Sequence, residues 1–284
     1  MKPLKPFYAN VQTHYDLSND FYRLFLDPTC TYSCAYFQRD EMSLEEAQRA
    51  KIKLSLDKCD LRPGMRLLDV GCGWGTTALQ AAADHGVRVV GLTLSENQFR
   101  AAQTRAAGRG DVEFRLQGWE EFNEPVDRIV SIGALEHFRV ERFMPFFQRC
   151  CQILPEDGSM MIHSIVHGTT ETLAPGQSAW DEPFLNYAKF VRKHIFPGGQ
   201  VPPREQVVLH ATTQGFEITE TQSLRPHYAR TLEIWAENLT LHRQQAVRMV
   251  GEEVYDRYLR YLTQSAHYFH TGHIDVVQFT MRKR

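Results

Sequence analysis

No run of about 18 apolar residues occurs in the 284-residue chain, so no transmembrane helix is expected. The N-terminal stretch MKPLKPFYANVQTHYDLS lacks the apolar core of a signal peptide, which makes secretion unexpected. An excess of either charge is also missing: Lys plus Arg is 32 against Asp plus Glu at 34, for a formal charge of −2. Nucleic-acid binders usually carry a strong basic excess, so no nucleic-acid partner is expected. Cysteines are few, at 30, 34, 59, 72, 150 and 151, and show no disulfide-framework spacing. That usage suits a reducing, cytoplasmic setting. Repeats, low-complexity tracts and long linkers are absent as well. What is present is 43% hydrophobic and 23% charged residues, enough for a sizeable core and too apolar for wholesale disorder. The length reads as one large domain or two small ones, and the lack of linkers favours one core with additions.

Leu17, Phe21, Leu24 and Phe25 share one face at helical spacing. Ser43 followed by Glu46 is a capping-box pattern and predicts a helix over about 44–58. From Gly64 the texture becomes strand–helix alternation. Strands are expected at 66–70, 87–91, 112–116, 128–132 and 159–166. An Ala-rich helix follows the first strand. A second helix, boxed by Ser95 and Gln98, follows the next, and a third lies near 141–153. Such alternation implies parallel crossover units and an α/β, doubly wound sheet. Residues 167–203 break the rhythm with Gly, Pro, Thr and aromatics, and read as an inserted excursion. Beyond it, Tyr228, Leu232, Trp235 and Leu239 line one helix face, Val254, Tyr258, Tyr261 and Leu262 line another, and 274–281 is a closing strand.

Asp69-Val-Gly71-Cys-Gly73-Trp-Gly75 joins the first strand to the first of these helices. Alternate glycines let a ligand approach the backbone, and the helix amides behind them suit a polar or anionic group. The dinucleotide fingerprint is G-x-G-x-x-G with an acid about 20 residues on. Here the spacing is G-x-G-x-G, and the corresponding strand ends in Gly91-Leu-Thr93-Leu-Ser95 with no acid. No Gly-Lys-Ser/Thr follows, so a P-loop fails too. An adenosine ligand without a pyrophosphate remains, with S-adenosylmethionine the leading candidate. Its amino and carboxylate groups would lie on the turn, its ribose near Thr93 and Gln98, and its adenine near Trp119 and Glu120. Gln98 reads equally as the third residue of its helix cap, and Trp119 also reads as core packing.

The Asp69–Gly75 motif resembles motif I of class I S-adenosylmethionine-dependent methyltransferases. Further segments resemble the cyclopropane mycolic acid synthases and related mycolate methyltransferases, within the wider cyclopropane-fatty-acid synthase family. These are VQTHYDLS (11–18), YSCAYF (32–37), GCGWG (71–75), GLTLS (91–95), QGWE (117–120), PVDRIVSIG (125–133), EHF (136–138), IFPGG (195–199) and LRPHYA (224–229). They run in order along nearly the whole chain. The resemblance implies a Rossmann-like, seven-stranded class I methyltransferase fold in a single domain, 1–284. It divides into an N-terminal helical cap (1–60), a cofactor-binding core (61–166), a largely helical acceptor-side insertion (167–215) and C-terminal helices with the last strand (216–284).

The same resemblance implies C-methylation of a cis double bond in an unsaturated lipid acyl chain. The alkene takes the sulfonium methyl, and the carbocation loses a proton from that methyl to close a cyclopropane. In relatives the cation is captured by water or loses another proton, giving hydroxylated or branched products. The base is a bound bicarbonate ion, whose ligands fall on Cys34, Ile132, Glu136, His163 and Tyr228. The cofactor set falls on His14, Tyr15, Tyr32, Ser33, Asp69, Gly71, Gly73, Thr93, Gln98, Trp119, Glu120 and Ile132. The acyl chain would be carried on an acyl carrier protein or a phospholipid. Read alone, Cys34 is a small buried hydrophobe and His163 a satisfied core histidine. The chain departs from the family's common Phe-Glu-His-Phe in carrying Leu135, one ring fewer near the expected site.

Four rival readings stand beside this one, among them a different methyl acceptor such as a heteroatom or a terpenoid or polyketide alkene. A metal at His267, His270 and His273 lacks a carboxylate pair, so no metal is expected. A thiol nucleophile built from Cys34 and His163 is less economical than an anion site. A non-catalytic binding module would not need the five anion-site residues. The clusters Arg192-Lys193-His194 and Arg282-Lys283-Arg284 read as solvated charge, with peripheral membrane contact at most.

Overall fold

The computed structural model describes residues 4–8, 12 and 17–284. Ser18 accepts a hydrogen bond from the Phe21 amide and opens the short helix α1 (Asn19–Arg23), which buries Phe21 and Tyr22. Helix α2 (Leu44–Asp57) starts at the expected box, with Ser43 and Glu46 capping each other reciprocally. Its buried face carries Ala47, Ile52 and Leu56, and also three polar residues at helical spacing, Gln48, Lys51 and Ser55.

The alternating core follows: β1 (Arg66–Val70), α3 (Thr76–His85), β2 (Arg88–Thr93), α4 (Glu96–Arg105), β3 (Val112–Leu116), β4 (Arg128–Ile132), α5 (Phe143–Ile153) and β5 (Ser159–His167). Then come α6 (Glu182–His194), α7 (Arg204–Thr213), β6 (Phe216–Ser223), α8 (Arg225–Leu241), α9 (Arg243–Val250), α10 (Glu252–His270) and β7 (Ile274–Lys283). The described strands form one seven-stranded sheet in the order β3-β2-β1-β4-β5-β7-β6. The first five are parallel, and β7 runs antiparallel between β5 and β6. The expected α/β doubly wound sheet is therefore present. Its order reverses between β1 and β4, where such sheets open a crevice at the carboxyl ends of their strands.

The second strand extends to Thr93, two residues beyond the expected span. The box at α4 is half formed: Ser95 accepts from the Gln98 amide, but the Gln98 side chain bonds Thr93 instead of returning to the cap. Strand β6 and helices α7 and α9 match no span read from the residues, although the resemblance implies a seventh strand, a largely helical insertion and C-terminal helices. β6 is an edge strand in which only Phe216 is buried, so its sequence lacks an apolar run. α7 buries only Val207 and Ala211, and α9 only Ala246. The excursion contains α6, where Asp181 caps the Phe184 amide and Pro183 lies in the first turn. Among the described residues, no helix is long and apolar enough to cross a membrane.

Candidate active site

At the end of β1 the chain enters the glycine turn with Gly71, Gly73 and Gly75 all at positive φ. Two of these glycines do different work. A Cβ at Gly75 would overlap the Phe114 ring, so that glycine lets the start of α3 pack against β3 and Ala102 of α4. A Cβ at Gly73 would meet no protein atom within 4 Å and would stand in a cavity. That cavity is walled by the turn, the ends of β2 and β4, residues 117–120 and the segment 30–33.

All ten described members of the expected cofactor set line it: Tyr32, Ser33, Asp69, Gly71, Gly73, Thr93, Gln98, Trp119, Glu120 and Ile132. His14 and Tyr15 lie outside the described residues. Several of these groups are buried without a partner among the described residues: Trp119 Nε1, Glu120 Oε2 and Asp69 Oδ2. A buried polar atom left unpaired is costly, so these atoms are fitted to a polar ligand. Glu120 is held by Arg142 through its other oxygen at 2.8 Å. Burial pushes the Asp69 carboxyl up to about 7, against the opposing pull of Lys51. Thr93 donates to Gln98 Oε1 at 2.8 Å, which turns the Gln98 side chain toward the cavity and away from its cap.

Lys51 escaped the sequence reading. It is fully buried, its Nζ donates to Ser33 Oγ at 2.7 Å, and burial lowers its pKa to about 8. Its neighbour Gln48 donates to the carbonyls of Thr31 and Ser33 at 3.2 and 2.7 Å. The polar stripe of α2 therefore fixes the 31–33 segment against the turn. That stripe, at i, i+3 and i+7 on a buried face, was the available signal.

A second cavity of about 530 Å³ adjoins the first. Tyr32, Ser33, Gly133 and His137 line both, so the two meet at these residues. Its walls come from α6, α8, α10, β5 and β7 and are mostly apolar and aromatic, including Trp180, Phe184, Tyr187, Phe196, Tyr261 and Phe269. Cys34, Glu136, His163 and Tyr228 all line it. Ile132, the fifth expected anion ligand, lines the first cavity, one residue from Gly133.

Glu136 accepts from the Ile165 amide at 2.6 Å through Oε1, while Oε2 is buried without a partner among the described residues. Burial pushes its carboxyl up to about 7. His163 sits on β5, its Nδ1 facing the Gln278 amide nitrogen at 3.4 Å. Because an amide nitrogen only donates, Nδ1 accepts and the proton of the neutral ring is on Nε2. Nε2 is likewise buried without a described partner. Burial, with Lys51 and Lys58, holds the His163 pKa well below 6.5, so the ring stays neutral. An acceptor and a donor thus stand unpaired in one wall, the pairing a hydrogen-carbonate ion would satisfy.

The thiol-nucleophile alternative loses support. Cys34 Sγ points to the carbonyl oxygens of Ala35 and Leu224 at 3.1 and 3.7 Å, and burial pushes its pKa well above 9. Among the described residues no group of His, Cys, Asp or Glu is arranged to hold a metal. His270 pairs with Glu233 and His273 with Asp181, which accounts for two of the three spaced histidines. Leu135 is buried in the cluster with Phe146 and does not itself line either cavity. Of the basic clusters, Arg192 lines the second cavity, whereas Lys283 and Arg284 pair with Glu156 and Glu217.

The family model for mycolic acid cyclopropane synthetase matches residues 3–279. Cyclopropane mycolic acid synthase 1 of Mycobacterium tuberculosis is 51% identical over 283 residues, covering 99% of each chain. The solved structure of the cyclopropane synthase MmaA2 from the same species superposes with a TM-score of 0.95 at 51% identity, covering 99% of each chain. A structure of mycolic acid cyclopropane synthase CmaA1 complexed with SAH and CTAB gives a TM-score of 0.94 at 52% identity, again covering 99% of each chain. Coclaurine N-methyltransferase, at 21% identity and a TM-score of 0.82 over 100% of this chain and 84% of its own, shares the fold. With the match running nearly end to end and half the residues identical, the chain belongs to the mycolic acid cyclopropane synthetase family, a family of S-adenosylmethionine-dependent methyltransferases.

Proposed function

We propose that the chain transfers the methyl group of S-adenosylmethionine to a cis double bond of a long unsaturated acyl chain and closes a cyclopropane. The observation that carries this reading is the junction of the two cavities at Tyr32, Ser33, Gly133 and His137. On one side lie orphaned polar atoms and a glycine turn suited to a nucleoside with an amino-acid end. On the other lies a mostly apolar tunnel with one polar spot.

The donor, when bound, would supply a sulfonium methyl for transfer. Tyr32 and Ser33, pinned by Gln48 and Lys51, and the Gly133 turn frame the opening through which the two cavities communicate. The aromatic wall excludes water and presents π faces to developing positive charge. Cys34, Glu136, His163, Tyr228 and the Ile132 backbone would hold a bicarbonate ion, which when bound supplies the base for the last proton. Glu136 Oε2, once ionised, would accept the hydroxyl proton of such an anion, and His163 Nε2 would donate to one of its oxygens. His163 cannot compete as the proton acceptor, because burial keeps it from charging.

An acyl chain in the tunnel would reach its carrier, an acyl carrier protein or a phospholipid, past α6, where Lys189 and Arg192 line the cavity. The test is incubation with donor and with cis-, trans- and fully saturated acyl chains on each carrier, followed by mass analysis. A product one CH2 heavier from the cis chain alone supports the reading. A product heavier by CH2 plus water places the chain with the hydroxylating relatives. Methyl on a heteroatom, or no product with donor bound, rejects it.

A further inference from the structure

The donor cavity holds a charge that no ion pair among the described residues neutralises. Lys51 is 0% exposed, forms no ion pair, and makes one hydrogen bond among the described residues, to the neutral Ser33 hydroxyl. An ammonium placed this way is costly to desolvate and gains little in return. It is also the only positive charge among the described residues lining that cavity, because burial holds the other basic group there, His137, down at about 4. A carboxylate of opposite character sits in the same wall: Asp69, with Oδ2 unpaired among the described residues. Lys51 and Asp69 line the same cavity, close enough for each to influence the other's proton affinity.

One buried cation and one buried carboxylate, neither satisfied by a salt bridge, are complementary to a zwitterion. We infer that the Lys51 ammonium is the counter-charge for the carboxylate of the methyl donor's amino-acid end, acting directly and through the Ser33 hydroxyl it polarises. The inference rests on the donor assignment made under Proposed function. Asp69 is left for the donor's amino group. Because Lys51 donates to Ser33 Oγ, the Ser33 proton is free to be given to an acceptor in the cavity. The turn amides alone would supply dipoles; Lys51 adds the full charge that a carboxylate out of water requires.

The test separates charge recognition from mere support of the 31–33 segment. S-Adenosylhomocysteine is titrated calorimetrically at pH 7 into wild type and Lys51→Met, alongside its decarboxylated analogue, the 3-aminopropyl thioether of 5′-deoxyadenosine. Met matches the stem of Lys51 in an apolar surrounding, and a melt confirms folding. Lys51→Gln provides a second variant should Met repack the segment. The expected result is at least about a tenfold loss of S-adenosylhomocysteine affinity in both variants, the scale of a charged hydrogen bond, with the decarboxylated thioether held within about threefold. Ser33→Ala should cost less than Lys51→Met, since the charge remains. Equal weakening of both thioethers would reduce Lys51 to a scaffold residue and overturn the inference, as would unchanged affinity for S-adenosylhomocysteine. Wild type binding neither thioether would instead reject the donor assignment itself.

Discussion

Glu136→Gln should make the protein catalytically inert and, above neutral pH, more stable. The carboxyl rises from an ordinary 4.5 to about 7 because it is buried with one oxygen unpaired. At 1.36 kcal/mol per pH unit that rise corresponds to about 3 kcal/mol of penalty for ionising it in the folded chain. The sign follows from proton counts. Between 4.5 and about 7 the unfolded chain has released this proton and the folded chain has kept it, so wild-type stability falls as pH rises through that window and levels off above it. Gln keeps the Ile165 amide bond through its oxygen and has no proton to lose. Its advantage over wild type should therefore grow by about 2 kcal/mol between pH 5.5 and 8.5, or about 4–6 °C in Tm for a chain of this size. The assay is a pair of melts in bicarbonate-free buffers across that range. Turnover should fall by about 10²–10⁴, the usual worth of a proton-handling group, with S-adenosylhomocysteine affinity within about threefold. A Tm difference that does not change with pH would refute the burial argument. Parallel losses of turnover and cofactor affinity would refute the assigned role.

The two neighbouring glycines should separate by assay. Gly73→Ala should fold with only the left-handed backbone cost of about 1–2 kcal/mol yet lose cofactor affinity in calorimetry, whereas Gly75→Ala should lower Tm further by forcing Phe114 aside. Retained affinity in the first would contradict the placement of the donor on the turn. Asp69 should make S-adenosylhomocysteine affinity rise with pH through about 7, as its carboxylate forms, and Asp69→Asn should flatten that profile. A wild-type profile flat from pH 6 to 8 would separate Asp69 from the amino group. Val191→Trp should obstruct the tunnel, raising KM for long acyl chains several-fold with cofactor affinity unchanged; equal kinetics on long and short chains would place the acceptor elsewhere.

The glycine turn, the capping box at Ser43 and the parallel strands were legible because each is a local pattern with a local cause: a backbone needing no Cβ, two orphan amides, a short apolar run. Of the candidate cofactor residues, the turn, Thr93, Gln98, Trp119 and Glu120 followed from the strand–turn–helix reading, whereas His14, Tyr15, Tyr32 and Ser33 came only with the family likeness. The candidate anion ligands were legible only through the family likeness. Cys34, Glu136, His163 and Tyr228 are scattered along the chain, and β5, α8 and the loop after β4 bring them to one cavity. Gln98 could be read two ways because a cap and a ligand contact use the same residue type; in the structure its side chain bonds Thr93 and does not return to the cap. Lys51 was hidden for a different reason. A lysine between apolar helix positions reads as a surface residue whose stem snorkels, and only the packing of α2 against the 31–33 segment closes water off from it. β6 stayed invisible because an edge strand with one buried residue carries its pairing in the backbone.

The most direct test of the account uses a donor whose transferred methyl is fully deuterated, with a cis-unsaturated acyl chain and mass and NMR analysis of the product. Ring closure through loss of a proton from the new methyl leaves two of its three deuterium atoms in a cyclopropane, and that is the predicted result. A product retaining all three deuterium atoms, as a methyl branch beside an alcohol or a shifted double bond, would contradict it.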